Sequence, residues 1–271
     1  MAIITISRGS YSGGKAVAEE LGERLGYPVL SREQVLLQAA DEYGISEREL
    51  TDSLNQPPPF WQQVLGKRMA YVKCVTAVLL DHVRQENLIY HGNVGHLLVT
   101  GVPHLLRVRV IAGMEQRIQA AMKQADLSRD QAIAHIQRVD NERRKWAQVL
   151  YGVNWDDPGQ YDVMLNLERI TVASVGATIA RMSELDEFQP TPESRRRVED
   201  LSLSSKVWAA MAKNPLTRSA GLEVTARDGE VTIKGNVGST KAAEAVAEIA
   251  GRICGVKTLH SEVGMGADWH W

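Results

Sequence analysis

Cysteine is scarce in this chain of 271 residues, which has only Cys74 and Cys254. They stand far apart and in no metal-ligand spacing, so there is no basis for a thiolate metal site, and buried, reduced thiols are expected. The seven histidines follow no ligand pattern either. Neither charge sign dominates, since 31 basic and 33 acidic residues leave a net charge of −2. That balance gives no large field to draw in polyanions, which argues against nucleic acid as a partner and against an anionic bilayer. No apolar run reaches membrane-spanning length, and the start lacks a basic segment followed by a long apolar stretch, because Ile3, Ile4 and Ile6 run straight into Arg8 and a glycine loop. A cytoplasmic protein is the expectation. No repeat of fixed period is present.

What the chain does have is 44% apolar residues, enough for one medium domain and a small one. Short β-branched runs alternate with longer helical patterns. IITI leads to AVAEELGERLG, PVL to a helical stretch through KRMAYVKCVTAVLLDHVRQ, then come NLIYHG and LRVRVIA. Two helices follow, MEQRIQAAMKQA and one from Ser128 to about Leu150; YDVMLNLE and a helix to about Met182 complete the series. Strand and helix in turn imply a parallel sheet covered on both faces. Residues 183–203 hold two prolines and many charges with no apolar period, and read as a linker. Beyond it, SSKVWAAMAKNP, a hairpin turning at Arg227-Asp228-Gly229, the helix STKAAEAVAEIAGRI and VKTLHSEV give an α-β-β-α-β order. The domains are therefore drawn as 1–182 and 204–271. The tail GMGADWHW either seals an apolar surface or dimer contact, or frays.

One short stretch carries chemistry. From Gly9 to Ala16, GSYSGGKA has the G-x-x-x-x-G-K spacing of a phosphate-binding loop. It lies between a β-branched run and a helix-former, where backbone N–H groups and a helix N-terminus surround phosphate oxygens. Gly9, Gly13 and Gly14 let the backbone approach, Ser10, Tyr11 and Ser12 complete the loop, and Lys15 supplies a point charge. The plainer alternative is a glycine turn with a solvated lysine. Ala16 stands where such loops carry Ser or Thr, so magnesium would be held by nucleotide phosphates, water or a carboxylate elsewhere, and no metal-ligating side chain is assigned.

Several stretches together resemble the cytidylate kinase-like branch of the nucleoside monophosphate kinases: the loop region, LIYHGNVGHLL, RVRVIAGMEQRI, and above all IQRVDNERRKWAQVLYGVNWDDPGQYDVMLNLERI with its D-x-x-R, W-x-D-P and YD-x-x-LN elements. The similarity spans about residues 1–182. It implies a P-loop NTPase-like α/β fold and transfer of the γ-phosphoryl group of ATP, with Mg2+, to cytidylate or a related monophosphate. By that resemblance Lys15, Arg138 and Arg143 are the catalytic cations, with Asp140 orienting one of the arginines, and Arg32 and Asn93 contact the acceptor. Arg117 would lie beside the donor adenine, although a surface helix arginine is the simpler account. Ser31 stands where the family often has Asp, and Asn93 where it commonly has Arg. These departures, with Ala16, keep open a second reading: a protein that binds nucleotide without transferring phosphate.

The segment from about Ser204 to Gly264 resembles a BON domain, a module associated with phospholipid or small-ligand binding. Its eight basic and six acidic residues give too little positive charge to anchor it to a membrane. A sensor of a small ligand, or an element that stabilises a homodimer, is expected instead.

Overall fold

A computed structural model describes residues 2–55, 62–218 and 221–266. They form two compact units, one from residues 2–35, 54–55 and 85–190, the other from 36–53, 62–84 and 191–266.

The first unit is built on five parallel strands, β1 (Ile3–Arg8), β2 (Val29–Ser31), β3 (Leu88–Gly92), β4 (Leu105–Ile111) and β5 (Val163–Asn166), in the order β2-β3-β1-β4-β5. β1 is buried along nearly its whole length, as a strand covered on both faces must be, which explains the unbroken β-branched run. Helices α1 (Gly14–Leu25) and α8 (Val172–Ser183) pack together on this sheet. Val17, Leu21, Val175 and Ile179 meet Ile4, Ile6, Leu106 and Val108 in one apolar cluster. The short α5 (Gly95–Leu98) follows β3, and α6 (Met114–Ala125) and α7 (Arg129–Tyr151) form a hairpin between β4 and β5. Because β1 is flanked by β3 and β4, the loop leaving it opens at the point where the strand order reverses, the usual crevice of such sheets.

After β2 comes α2 (Arg32–Tyr43), whose first turn belongs to the first unit and whose remainder belongs to the second. The second unit also contains α3 (Glu47–Asn55) up to Ser53, α4 (Gln62–Val83), α9 (Pro192–Lys213) and α10 (Thr240–Gly251). Its sheet runs β6 (Gly221–Arg227), β7 (Glu230–Val237) and β8 (Thr258–Met265), with β6 antiparallel and β8 parallel to β7. Val207, Met211, Val231, Ile233 and Val246 centre its core.

The stretch read as a linker is not one throughout. From Pro192 it is the start of α9, with proline at the first helical position and a capping box in which Thr191 Oγ1 accepts from Ser194 N (3.0 Å) and Ser194 Oγ accepts from Thr191 N (2.8 Å). Its buried positions Ser194, Val198 and Ser202 do recur every four residues, but two are serines, so no apolar period is visible. Trp269 and Trp271 of the tail lie outside the described residues. Among the described residues, no helix is long and apolar enough to cross a membrane.

Candidate functional site: a glycine loop between two cavities

The glycine loop joins β1 to α1. Gly13 caps the helix at φ 82°, in the left-handed region, and a Cβ there would come 2.6 Å from Leu167 Cδ1. With no side chain capping the helix, the amides of Gly14, Lys15 and Ala16 have no intrahelical acceptor. Other groups of the loop are engaged by the protein. Ser12 N and its hydroxyl donate to Gly9 O, and the hydroxyl also reaches Val110 O at 3.1 Å. Ser10 donates its amide (3.3 Å) and hydroxyl (3.0 Å) to Asp140 Oδ1. Tyr11, at φ 57°, sends its ring against His135 and the apolar cluster of the α6–α7 hairpin.

Two cavities flank this loop. One, of about 590 Å3, is lined by residues 10–16, by Ala120 and Gln124 of α6, and by His135, Val139 and Arg143 of α7. The other, of about 530 Å3, is lined by Val29, Ser31, Glu33, Gln34 and His91 at the ends of β2 and β3. Arg8, Lys15 and Glu19 line both. Lys15 is mostly exposed, 3.6 Å from Glu19.

Arg143 reaches this junction, donating from Nη1 to Arg8 O at 3.1 Å. Burial, then the cations of Arg32 and Arg8, push its pKa down to about 10. Arg32 is lowered too, by burial first and with Arg8 adding to it. Glu33 is held below the usual carboxylate range: burial opposes this, but its backbone hydrogen bond and the charges of Arg8 and Arg32 prevail. Three guanidinium groups therefore gather beside the loop. Among the described residues none of the three has an ion-pair partner, and Arg8 Nε and Arg32 Nη2 are buried without a hydrogen-bond partner. That arrangement suits a polyanion.

The other residues singled out by sequence lie differently. Arg138 is exposed and pairs with Glu142 at 2.9 Å, so the structure does not bring it to the loop. Five helical residues turn about 140° beyond a full circle, which sends it away from Arg143. Asp140 orients neither of those arginines. It pairs with Arg117 (2.5 Å), whose Nε donates to Ser10 O (2.7 Å), so Arg117 clamps the loop and is only 13% exposed. Asn93 is buried just after β3, with Oδ1 lacking a partner among the described residues, and lines neither cavity. Ser31 caps α2 reciprocally with Gln34 (3.2 and 2.7 Å). Arg8 was not singled out by sequence, because an arginine closing a strand matches no spacing rule.

A partly exposed bridge, anchored on the buried Arg109, supports α7. Asp156 accepts from Arg109 Nη2 (2.6 Å) and Arg144 Nε (2.5 Å), tying β4 to the residue next to Arg143. Arg109 also donates to Trp155 O and Tyr161 OH and lies 4.0 Å from the centre of the Trp155 ring. The W-x-D-P and YD-x-x-LN elements thus hold the hairpin to the sheet.

Among the described residues, no three His, Cys, Asp or Glu side chains gather as an all-protein metal site. For a magnesium ion arriving with a nucleotide, Ala16 brings no hydroxyl and those of Ser10 and Ser12 are engaged, whereas Glu19 lines both cavities. A carboxylate and water fit such an ion.

Comparison with known proteins finds two family matches along the chain. A model of the cytidylate kinase-like family matches residues 3–169, and a BON domain model matches residues 199–266. A cytidylate kinase of Ignicoccus hospitalis is 23% identical over 184 residues, covering 67% of this chain and 99% of its own. One of Pyrococcus horikoshii is 20% identical over 197 residues, covering 73% and 95%. Among solved structures, an uncharacterized protein from Eubacterium ventriosum ATCC 27560 has a TM-score of 0.50 at 15% identity, over 67% of this chain and 98% of that one, a likeness of fold. The family match and the two curated relatives support a nucleotide or nucleoside monophosphate kinase-like role.

Proposed function

The chain belongs to the cytidylate kinase-like family, and from that premise we propose that it transfers the γ-phosphoryl group of ATP to a nucleoside monophosphate, with cytidylate as the acceptor. The observation that carries the reading is the pair of cavities sharing Lys15 beside the glycine loop, one for a donor and one for an acceptor. The phosphate tail of ATP lies on the amides of Gly14, Lys15 and Ala16, with Lys15 at the outer phosphates. Arg32, at the start of α2 between Ser31 and Glu33 of the second cavity but not itself on its wall, lends its charge to the acceptor phosphate. Arg143 faces the phosphoryl group from α7.

The acceptor oxygen is already anionic at neutral pH, so no general base is needed. It forms a bond to the γ-phosphorus while the bond from that phosphorus to the bridging oxygen breaks, and the electron pair leaves on ADP. No proton changes hands. Rate comes from alignment and from fixed cations around the transferring group. When bound with ATP, a magnesium ion would supply charge neutralisation at the phosphates, and Glu19 with water would form the protein side of its site.

The test incubates the protein with ATP, magnesium and each nucleoside monophosphate in turn. Cytidine diphosphate is expected, with Lys15→Ala slower by about 10²–10³-fold. No diphosphate above the Lys15→Ala level rejects transfer. The second reading, binding without turnover, draws on Ala16 and on the uncharged, buried Asn93. ATP binding by calorimetry without diphosphate formation would select it. Residues 204–271 carry regulation by a small ligand, for which a cavity of about 400 Å3 bordered by Lys206, Asp228 and Lys257, and by Arg84, Arg196 and Glu199 from outside that segment, offers a place.

A further inference from the structure

We infer that Arg8 is a further catalytic residue, whose guanidinium holds the oxygens of the phosphoryl group as it passes from one cavity to the other. The inference rests on the phosphotransferase reading above. Only Arg8, Lys15 and Glu19 line both cavities, and of these only Arg8 has a planar fork of donors matched to phosphate oxygens.

Its side chain is held in place. A Cβ on Gly14 would lie 2.6 Å from Arg8 Cβ and 2.9 Å from Cδ, so the absence of a side chain at position 14 is what lets the Arg8 stem lie across the first turn of α1. Arg143 Nη1 donates to the backbone carbonyl of Arg8, which ties the Arg143 guanidinium to the backbone of the residue that carries the other one.

The local electrostatics call for an anion there. Arg8 and Arg32 both lower the basicity of Arg143, and Arg8 lowers that of Arg32. Arg8 Nε is buried without a partner among the described residues, an arrangement that a bound oxyanion relieves. During transfer the three equatorial oxygens keep their charge while the bonds to the incoming and outgoing oxygens change. A donor at the seam therefore acts on the transition state more than on either substrate alone.

The test compares Arg8→Gln and Arg8→Lys with an Arg129→Gln surface control. Steady-state rates with ATP, magnesium and cytidylate are read beside ATP affinity by calorimetry. Arg8→Gln is expected to lower kcat by about 10²–10³-fold while the Kd for ATP rises by no more than about tenfold, and Arg8→Lys to recover part of the loss. A kcat for Arg8→Gln within about threefold of the parent overturns the inference. If the parent turns over no monophosphate, the kinase reading fails by itself, and inorganic tripolyphosphate then decides on Arg8. A rise in melting temperature of the parent that Arg8→Gln and Arg8→Lys lose or weaken supports the anion seat, whereas equal rises, or none in the parent, overturn it.

Discussion

At the scale of single side chains, burial sets protonation near the loop. His91 and His96 are both pushed from 6.5 down to about 4. For His91 the causes are burial and then Arg8, opposed by Glu33 and Glu19; for His96 they are burial, then Arg107 and Arg109, opposed by Asp162. The folded protein therefore keeps both rings neutral where the unfolded chain has begun to take up protons. Between pH 6.5 and about 4 the unfolded state binds more protons, so stability is fully present above 6.5 and declines on acidification. The slope is up to about 1.4 kcal/mol per pH unit for each ring. Urea midpoints should fall from pH 7 to pH 5, and His96→Gln should flatten that fall; equal midpoints at both pH values would contradict the assignment. Much of the site was readable at this scale. Lys15 follows from loop spacing and Arg143 from the D-x-x-R element. Arg8 was not readable, because its role depends on the bare Gly14 beside it and on two cavities that only the fold creates. Arg117 reads in sequence as a surface helix arginine, since its partners Ser10 and Asp140 lie 107 and 23 residues away.

At the scale of elements, the placement of α7 decides where Arg143 points, and Asp156 is the joint. It serves Arg109, only 6% exposed at its side chain, and Arg144, one residue from Arg143. Removing one partner of a fully buried pair costs about 3–5 kcal/mol, and Asp156 is partly exposed, so Asp156→Ala should cost nearer 2 kcal/mol. With Arg144 released, kcat for phosphoryl transfer should fall by about tenfold with the KM for ATP little changed, while Asp156→Asn, which keeps one acceptor, should lose less. Melting curves and steady-state kinetics together check this; an unchanged kcat in a destabilised Asp156→Ala would reduce the bridge to a structural role. Strands and most long helices were legible from their periods, including the Ser128 cap of α7, whereas the first half of α9 was not. Helices α2 and α3 were not, because α2 starts from the Ser31–Gln34 box, directly off β2, with no breaker to mark the change.

At the scale of the whole molecule, composition puts a boundary near residue 182, but packing divides the chain elsewhere. Residues 36–53 and 62–84, which precede β3 in sequence, form one unit with 191–266. Long-range packing of this kind leaves no local mark in the sequence. Within that unit α4 packs along α9, and Asp81 accepts from Ser202 Oγ at 3.0 Å and pairs with Lys206 at 2.7 Å. Every position of α4 from Cys74 to Leu80 is buried, which a helix achieves only with neighbours all round. Deleting residues 191–271 would therefore uncover several aliphatic side chains of α4, each worth about 1.5–3 kcal/mol of burial. Net stability is only about 5–15 kcal/mol. A chain ending at Pro190 should aggregate, or bind a hydrophobic dye and melt well below the full chain, even though it retains the whole segment matched by the kinase-like family. Cooperative melting of that fragment at the full-chain temperature, without dye binding, would mean that α4 does not depend on α9, and that the boundary near residue 182 separates independent folding units.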